Sequence, residues 1–332
     1  MKKLSNKTII CKSIIILFMS YGSGHALDFR TYPELVELAD TMVREDGYPR
    51  AQLEATFAEA VIDPSVIRAM EHQYEALPWH QYRKRFINDE RIRKGVSYWN
   101  RHQAVLREAD RRFGVPPAVI VALIGVETHF GDHMGDKRVL DSLVTLTAAY
   151  PRRSAYFSRE LRAFLNTVRA ENIAPGSVTG SFAGAVGIPQ FMPTSYQVYA
   201  VDLNQNGRRD LVNETEDAIG SVANYLKQRG WREGQGLFAS LPNGIPQTAT
   251  GLVSKRAKPR LTAEQLAAAG IEFAGGDALT GKVALLRLQE ERGYRYIIGF
   301  NNFHVITRYN PSINYAMVVS ELSREISRQR IQ

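Results

Sequence analysis

Cysteine is almost missing from this chain: Cys11 is the only one in 332 residues. It falls within residues 1–26, where Lys2, Lys3 and Lys7 form a basic start, 9–19 is mostly apolar, and Gly24-His25-Ala26 supplies small residues. That pattern reads as a secretory leader cleaved after Ala26. A chain cut there has no disulfide, no thiolate metal site and no cysteine nucleophile. Cys11 is not preceded by the small residues of a lipoprotein cleavage site, so a soluble form is expected rather than a lipid-anchored one. Long hydrophobic runs are missing as well. The 9–19 stretch is broken by Lys12 and Ser13 and is short against the roughly 20 residues of a spanning helix, which weighs against an uncleaved anchor. There is no long Lys/Arg stripe. The formal charge is +8, and losing Lys2, Lys3, Lys7 and Lys12 with the leader leaves about +4. Such a mild excess suits an anionic polymer or surface, and no nucleic acid is expected as a partner. Internal repeats and low-complexity tracts are absent. His129, His133 and His304 form no HExxH or related pattern, and none is read as a zinc ligand.

What is present is mostly helical periodicity. Leu35, Leu38, Ala39 and Met42 recur at helical spacing, and Asp63-Pro64 offers an N-cap followed by proline at the first helical position. Residues 97–113 read as one helix ending at Gly114, and Pro116-Pro117 restarts the chain. Helices follow over 139–170, 221–227 and 314–329, with a Gly/Ser-rich break at 176–187. Residues 282–288 and 294–300 read as two strands around Glu291-Arg292-Gly293.

Four groups of residues could carry chemistry. Residues 118–126 contain no polar side chain, so a helix built from them is apolar all round and belongs in an interior. Glu127 ends that run. Carried inward, it loses water and tends to hold its proton, as a general acid near neutral pH must; the alternative is a structural acid at a helix end. Residues 180–195 hold three glycines in their first eight positions, then Pro189-Gln190-Phe191-Met192-Pro193. This segment either lets backbone approach a ligand closely or is an ordinary long turn. Residues 202–213 place Asp202, Asn204, Asn206, Asp210 and Asn213 at positions 1, 3, 5, 9 and 12 of an EF-hand-like loop, with Gly207 at 6 and the Arg208 carbonyl at 7. Position 12 is not the usual glutamate; Glu214 or Glu216 offers a substitute. Weakly bound Ca²⁺ or Na⁺ is one reading, an Asx-rich turn without an ion the other. Finally, residues 301–310 and 150–153 mix aromatics with amides and guanidinium groups. Such surfaces bind sugars, or are structural.

Taken in order, ALIGVETHFG (122–131), LTAAYPRRSAYF (146–157), GSFAGAVGIPQFMPTSY (180–196), the Asp202 loop, DAIGSVANYLKQRGW (217–231) and NNFHVITRYN (301–310) resemble the B-type lytic murein transglycosylases, glycoside hydrolase family 103. The resemblance covers about residues 30–325. It implies a mainly α fold of the α+β kind: a lysozyme-like helical core, an additional α-helical region and a small inserted β region. On that reading 27–112 is an N-terminal α region, 113–231 the catalytic core, 232–298 the insertion and 299–332 the segment completing the core. Glu127 matches the family's catalytic acid. Ser181, Gln190, Tyr225, Tyr309 and Asn310 match saccharide-binding positions, with Arg152 and Arg153 at the cleft. Asp202, Asn204, Asn206, Arg208 and Asn213 match the cation loop, although family members often carry Asp at the last of these.

The implied activity is cleavage of the β-1,4 bond between N-acetylmuramic acid and N-acetylglucosamine in peptidoglycan, leaving a 1,6-anhydro end. No cofactor is required for that chemistry. The expected setting is the periplasm of a Gram-negative bacterium, with glycan strands as partner, partners among the cell-wall machinery unidentified, and the protein a monomer. Two other readings stay open: a lysozyme-type hydrolase, for which Asp132, Asp136 and Asp141 are candidate second acids, and a non-catalytic wall-binding or scaffold protein.

Overall fold

The computed structural model describes residues 27–71, 77–272 and 281–331; the leader expected over 1–26 lies outside the described residues. Helices dominate. The first half runs α1 (Pro33–Asp46), α2 (Arg50–Ala58), α3 (Pro64–Glu71), α4 (Trp79–Phe86), α5 (Asp89–Arg101), α6 (Gln103–Phe113) and α7 (Pro117–Thr128). Then come β1 (Lys137–Arg138), α8 (Val139–Ala149), α9 (Ser154–Ala170), β2 (Thr179–Gly180), α10 (Pro193–Tyr199) and α11 (Thr215–Gln228). The chain closes with β3 (Phe238–Leu241), α12 (Ala263–Ala268), β4 (Ala284–Gln289), β5 (Tyr294–Gly299), α13 (Asn301–Ile306) and α14 (Ile313–Ile331). Among the described residues no helix is long and apolar enough to cross a membrane.

Three apolar cores form. The first gathers α4 to α7 with α11, α13 and α14. The second gathers α1 to α3 with α8 and α9. The third lies under the antiparallel sheet β3-β5-β4 and α12. Residues before position 112 are therefore shared: α1–α3 join one core with α8 and α9, whereas α4–α6 join another with α7. At the centre of the first core is α7, packed against α5, α6, α11 and α14. Its residues 119–125 are all buried, as its uninterrupted apolar sequence demands. Pro117 at its first position costs nothing, because the amide it lacks would have no helical partner there.

Two local expectations change. The helix read over 97–113 is two, α5 and α6, because His102 leaves helical geometry (φ −106°, ψ 23°) and serves as the end of one and the start of the other. The two strands read over 282–300 are β4 and β5, and a third, β3, pairs with β5 from more than fifty residues away; its four residues are too few to show a period.

Candidate active site

Glu127 is half-buried on the last turn of α7. The Tyr315 hydroxyl, from the first turns of α14, donates a short hydrogen bond to Glu127 Oε1. Tyr315 is itself buried and stacks on Tyr309, ring centroids 6.5 Å apart and 15° from parallel. Both phenols are held well above their ordinary pKa, first by burial and then by the Glu127 charge, so they remain neutral donors. Tyr309 packs edge-on against Tyr225 at 4.8 Å, and both rings meet Phe191. Each phenol reaches backbone: Tyr309 donates to Pro189 O and Tyr225 to Arg308 O. Residues from α7, the 188–191 segment, α11 and the start of α14 thus share one aromatic wall beside the carboxylate.

The segment after β2 is stitched to the end of α7. Thr128 Oγ1 donates to Ile188 O at 2.9 Å and accepts from Gly131 N at 3.0 Å. Gln190, at φ +50°, turns its side-chain amide inward to Met134 O and Gly187 O, both 2.9 Å. Ser181 Oγ accepts from Ala185 N at 3.0 Å and Ala183 N at 3.3 Å, fixing the turn that precedes them. Backbone approach is very close here: a Cβ on Gly135 would lie 2.2 Å from Gly180 O, so only glycine fits.

Asn310 follows Tyr309 and is half-buried. Arg152 and Arg153 are exposed at the junction of α8 and α9, with the Arg153 guanidinium 4.4 Å over the Tyr156 ring. The other buried carboxylates are tied to structural partners. Glu321, 2 % exposed, meets Arg83 and Arg295, each at 2.6 Å. Glu160 accepts from Thr194 N and Oγ1 at 2.9 and 2.8 Å. Of the candidate second acids, the half-buried Asp141 accepts from Val61 N and Arg138, and the exposed Asp132 meets the Lys94 ammonium.

In the 202–213 loop, Asp202 accepts from Asn206 N at 3.1 Å and Gly207 N at 2.7 Å, and Asn204 and Asn206 accept from backbone amides two residues on. Asn213 turns away and donates to Asp210 at 2.8 Å. Glu214 instead faces the loop: its oxygens accept from the Asn204 and Asn206 amides at 2.7–2.8 Å, with Arg208 at 3.5 Å. Asp217, fully buried, accepts from Leu203 N and Asp210 N and pins both ends of the loop to α11. Two carboxylates and two amide groups gathered on one short loop fit a hard cation. A cavity of about 310 Å³ between α9, α10 and residues 208–213 has no wall residue from the Glu127 group and is a separate feature.

Tyr315 is the residue the sequence reading missed. Its signal was available only in part: it lies five positions beyond Asn310, on the helix read over 314–329, but nothing local aims it at a carboxylate 188 positions earlier.

A family profile described as "Transglycosylase SLT domain" matches residues 30–324. The chain is 40 % identical over 315 residues to membrane-bound lytic murein transglycosylase B of Escherichia coli K12, covering 92 % of this chain and 86 % of that protein. It is similar to the E. coli lytic transglycosylase SLT35 in complex with bulgecin A, with a TM-score of 0.85 at 41 % identity over 93 % of this chain and 97 % of that one. SLT35 in complex with calcium matches at a TM-score of 0.83 and 40 % identity, over the same shares of the two chains.

Proposed function

Since the chain belongs to the transglycosylase SLT domain family, we propose that it is a lytic transglycosylase of peptidoglycan, with Glu127 as its single acid and base. The observation that carries this reading is a half-buried carboxylate at the end of a buried helix, in the grip of a neutral phenol. Glu127 gives its proton to the glycosidic oxygen as the bond from the muramic acid C1 to that oxygen breaks. The substrate's N-acetyl group stabilises the positive C1. Glu127, now ionised, takes the proton of the 6-hydroxyl while O6 bonds to C1 and closes the 1,6-anhydro ring. Water competes for C1, but a well-oriented intramolecular hydroxyl reaches effective molarities of about 10⁵ M or more, far above bulk water. The geometry that favours ring closure is a cleft that fixes the sugar. Tyr225, Tyr309, Gln190, Ser181 and Asn310 are read as its sugar-binding wall, with Arg152 and Arg153 binding further along the strand.

The 202–214 loop is read as a calcium or sodium site that supports the fold and takes no part in the chemistry, in line with the calcium complex of SLT35. Residues 1–26 are read as an export signal, which places the protein in the periplasm.

Product analysis on purified sacculi tests the central claim. The parent releases muropeptides lighter by one water than those of a hydrolase, and Glu127→Gln releases none while keeping its fold and glycan binding. Reducing ends in place of anhydro ends would make the protein a hydrolase. Near-normal release by Glu127→Gln would remove Glu127 from the role.

A further inference from the structure

We propose that His129, Asp132 and His133, on the turn that leaves α7, form a binding site for a divalent transition-metal ion of the zinc class. One ligand atom from each side chain lies within 4.8 Å of the other two. His129 Nδ1 is 3.7 Å from Asp132 Oδ2, and the two imidazole rings are 5.6 Å apart at 49°. Two imidazole nitrogens and one carboxylate oxygen are the donors that Zn²⁺, Co²⁺ and Ni²⁺ favour, with a fourth position left for water; Ca²⁺ and Mg²⁺ prefer all-oxygen sets.

The turn is built to hold these side chains together. His129, Phe130 and Gly131 take φ +53°, +68° and +94° in succession. For the first two that conformation costs about 1–2 kcal/mol per residue, and a helix end of this kind is ordinarily given to glycine. The surroundings enforce it. Phe130 N donates to Ile124 O at 3.3 Å and His133 N to Thr128 O at 2.9 Å, closing the turn on itself. The Phe130 ring sits where α7 offers no side chain: a Cβ on Gly125 would fall 2.6 Å from it. With the turn fixed, a metal has little ordering left to impose. The carbonyl end of α7 adds a partial negative charge beside the site.

Entry is open, since His133 is exposed and the Asp132 side chain is 49 % exposed. One group opposes binding: the Lys94 ammonium from α5 sits on Asp132 Oδ2 and must yield to the metal. This conflict supplies the sharpest test. The inference does not depend on the proposed activity, and its readout is binding alone.

The untagged chain, kept saturated with Ca²⁺ so that the 202–214 loop is occupied, is titrated with Co²⁺ by visible absorption and with Zn²⁺ by calorimetry. One Zn²⁺ per chain is expected, displacing Co²⁺ and its d–d bands. His133→Ala, an exposed change whose fold is checked by circular dichroism, weakens Zn²⁺ at least about tenfold, at the low end of what loss of even an outer partner costs a metal site. Lys94→Gln tightens it, because Asp132 is released. Affinity untouched by His133→Ala, or not raised by Lys94→Gln, overturns the assignment.

Discussion

Glu127 stands under two opposing influences. Partial burial favours its protonated form, whereas the Tyr315 hydroxyl donates to it and so favours the ionised form. The proposed role, in which Glu127 first gives and then retakes a proton, is served by such a balance. Tyr315→Phe keeps the ring in the core and removes only the donor. The ionised state is then less favoured, so the alkaline limb of the pH–activity profile moves to higher pH. Turnover falls about tenfold, the weight of one hydrogen bond to a charged group. A profile and rate unchanged in this variant would show that the contact has no part in the reaction. Glu127 was legible in the sequence because its helix advertises burial: nine consecutive residues without a polar side chain lead straight to it. Tyr315 was not, because it is one of 15 tyrosines and acquires its meaning only when α14 packs across α7.

At the scale of single elements, the 202–214 loop shows what local spacing can and cannot convey. Alternating oxygen-bearing residues and Gly207 specify the turn, and the structure has it, because the deciding contacts join residues within five positions of one another. The last oxygen donor of the proposed cation site depends on where α11 begins. Asn213 turns to Asp210 and Glu214 turns inward, so the carboxylate falls one position later than the usual spacing. Calcium should therefore raise the melting temperature of the parent, by linkage to the folded state. Glu214→Gln should abolish most of that rise and Asn213→Ala should leave it. The reverse pattern in a thermal melt with and without chelator would put Asn213 back in the ligand set. The same locality explains the helices. Periodicity reveals α1 or α14, while the break at His102 and the strand β3 follow from tertiary packing and pairing that no window of sequence contains.

Across the whole molecule, long-range ties hold the early helices to the part of the chain that carries the site. Asp63 opens α3, accepting from Ser65 N at 2.8 Å, and its other oxygen meets Lys137 Nζ at 2.9 Å, 74 residues on. Lys137 lies in β1, which pairs with β2, and β2 runs directly into the turn at Ser181. The Ser65 hydrogen bonds and the Lys137 ammonium hold the Asp63 carboxyl down at about 2 against its ordinary 3.8. Its folded-state pKa is depressed, so the stability it contributes is present above the ordinary value and disappears as the pH falls through about 2. The side chain is 28 % exposed and its partner 40 %, so solvent trims the full linkage value to about 1–2 kcal/mol. Asp63→Asn should therefore unfold more readily than the parent at neutral pH, by about that amount, in urea titrations followed by circular dichroism. The gap should narrow below pH 3.8 and close as the pH falls through about 2, where the parent's own carboxyl takes up its proton. A difference that persisted undiminished at pH 2 would trace the loss to packing at the start of α3, and the tie between the N-terminal helices and β1 would then owe nothing to charge.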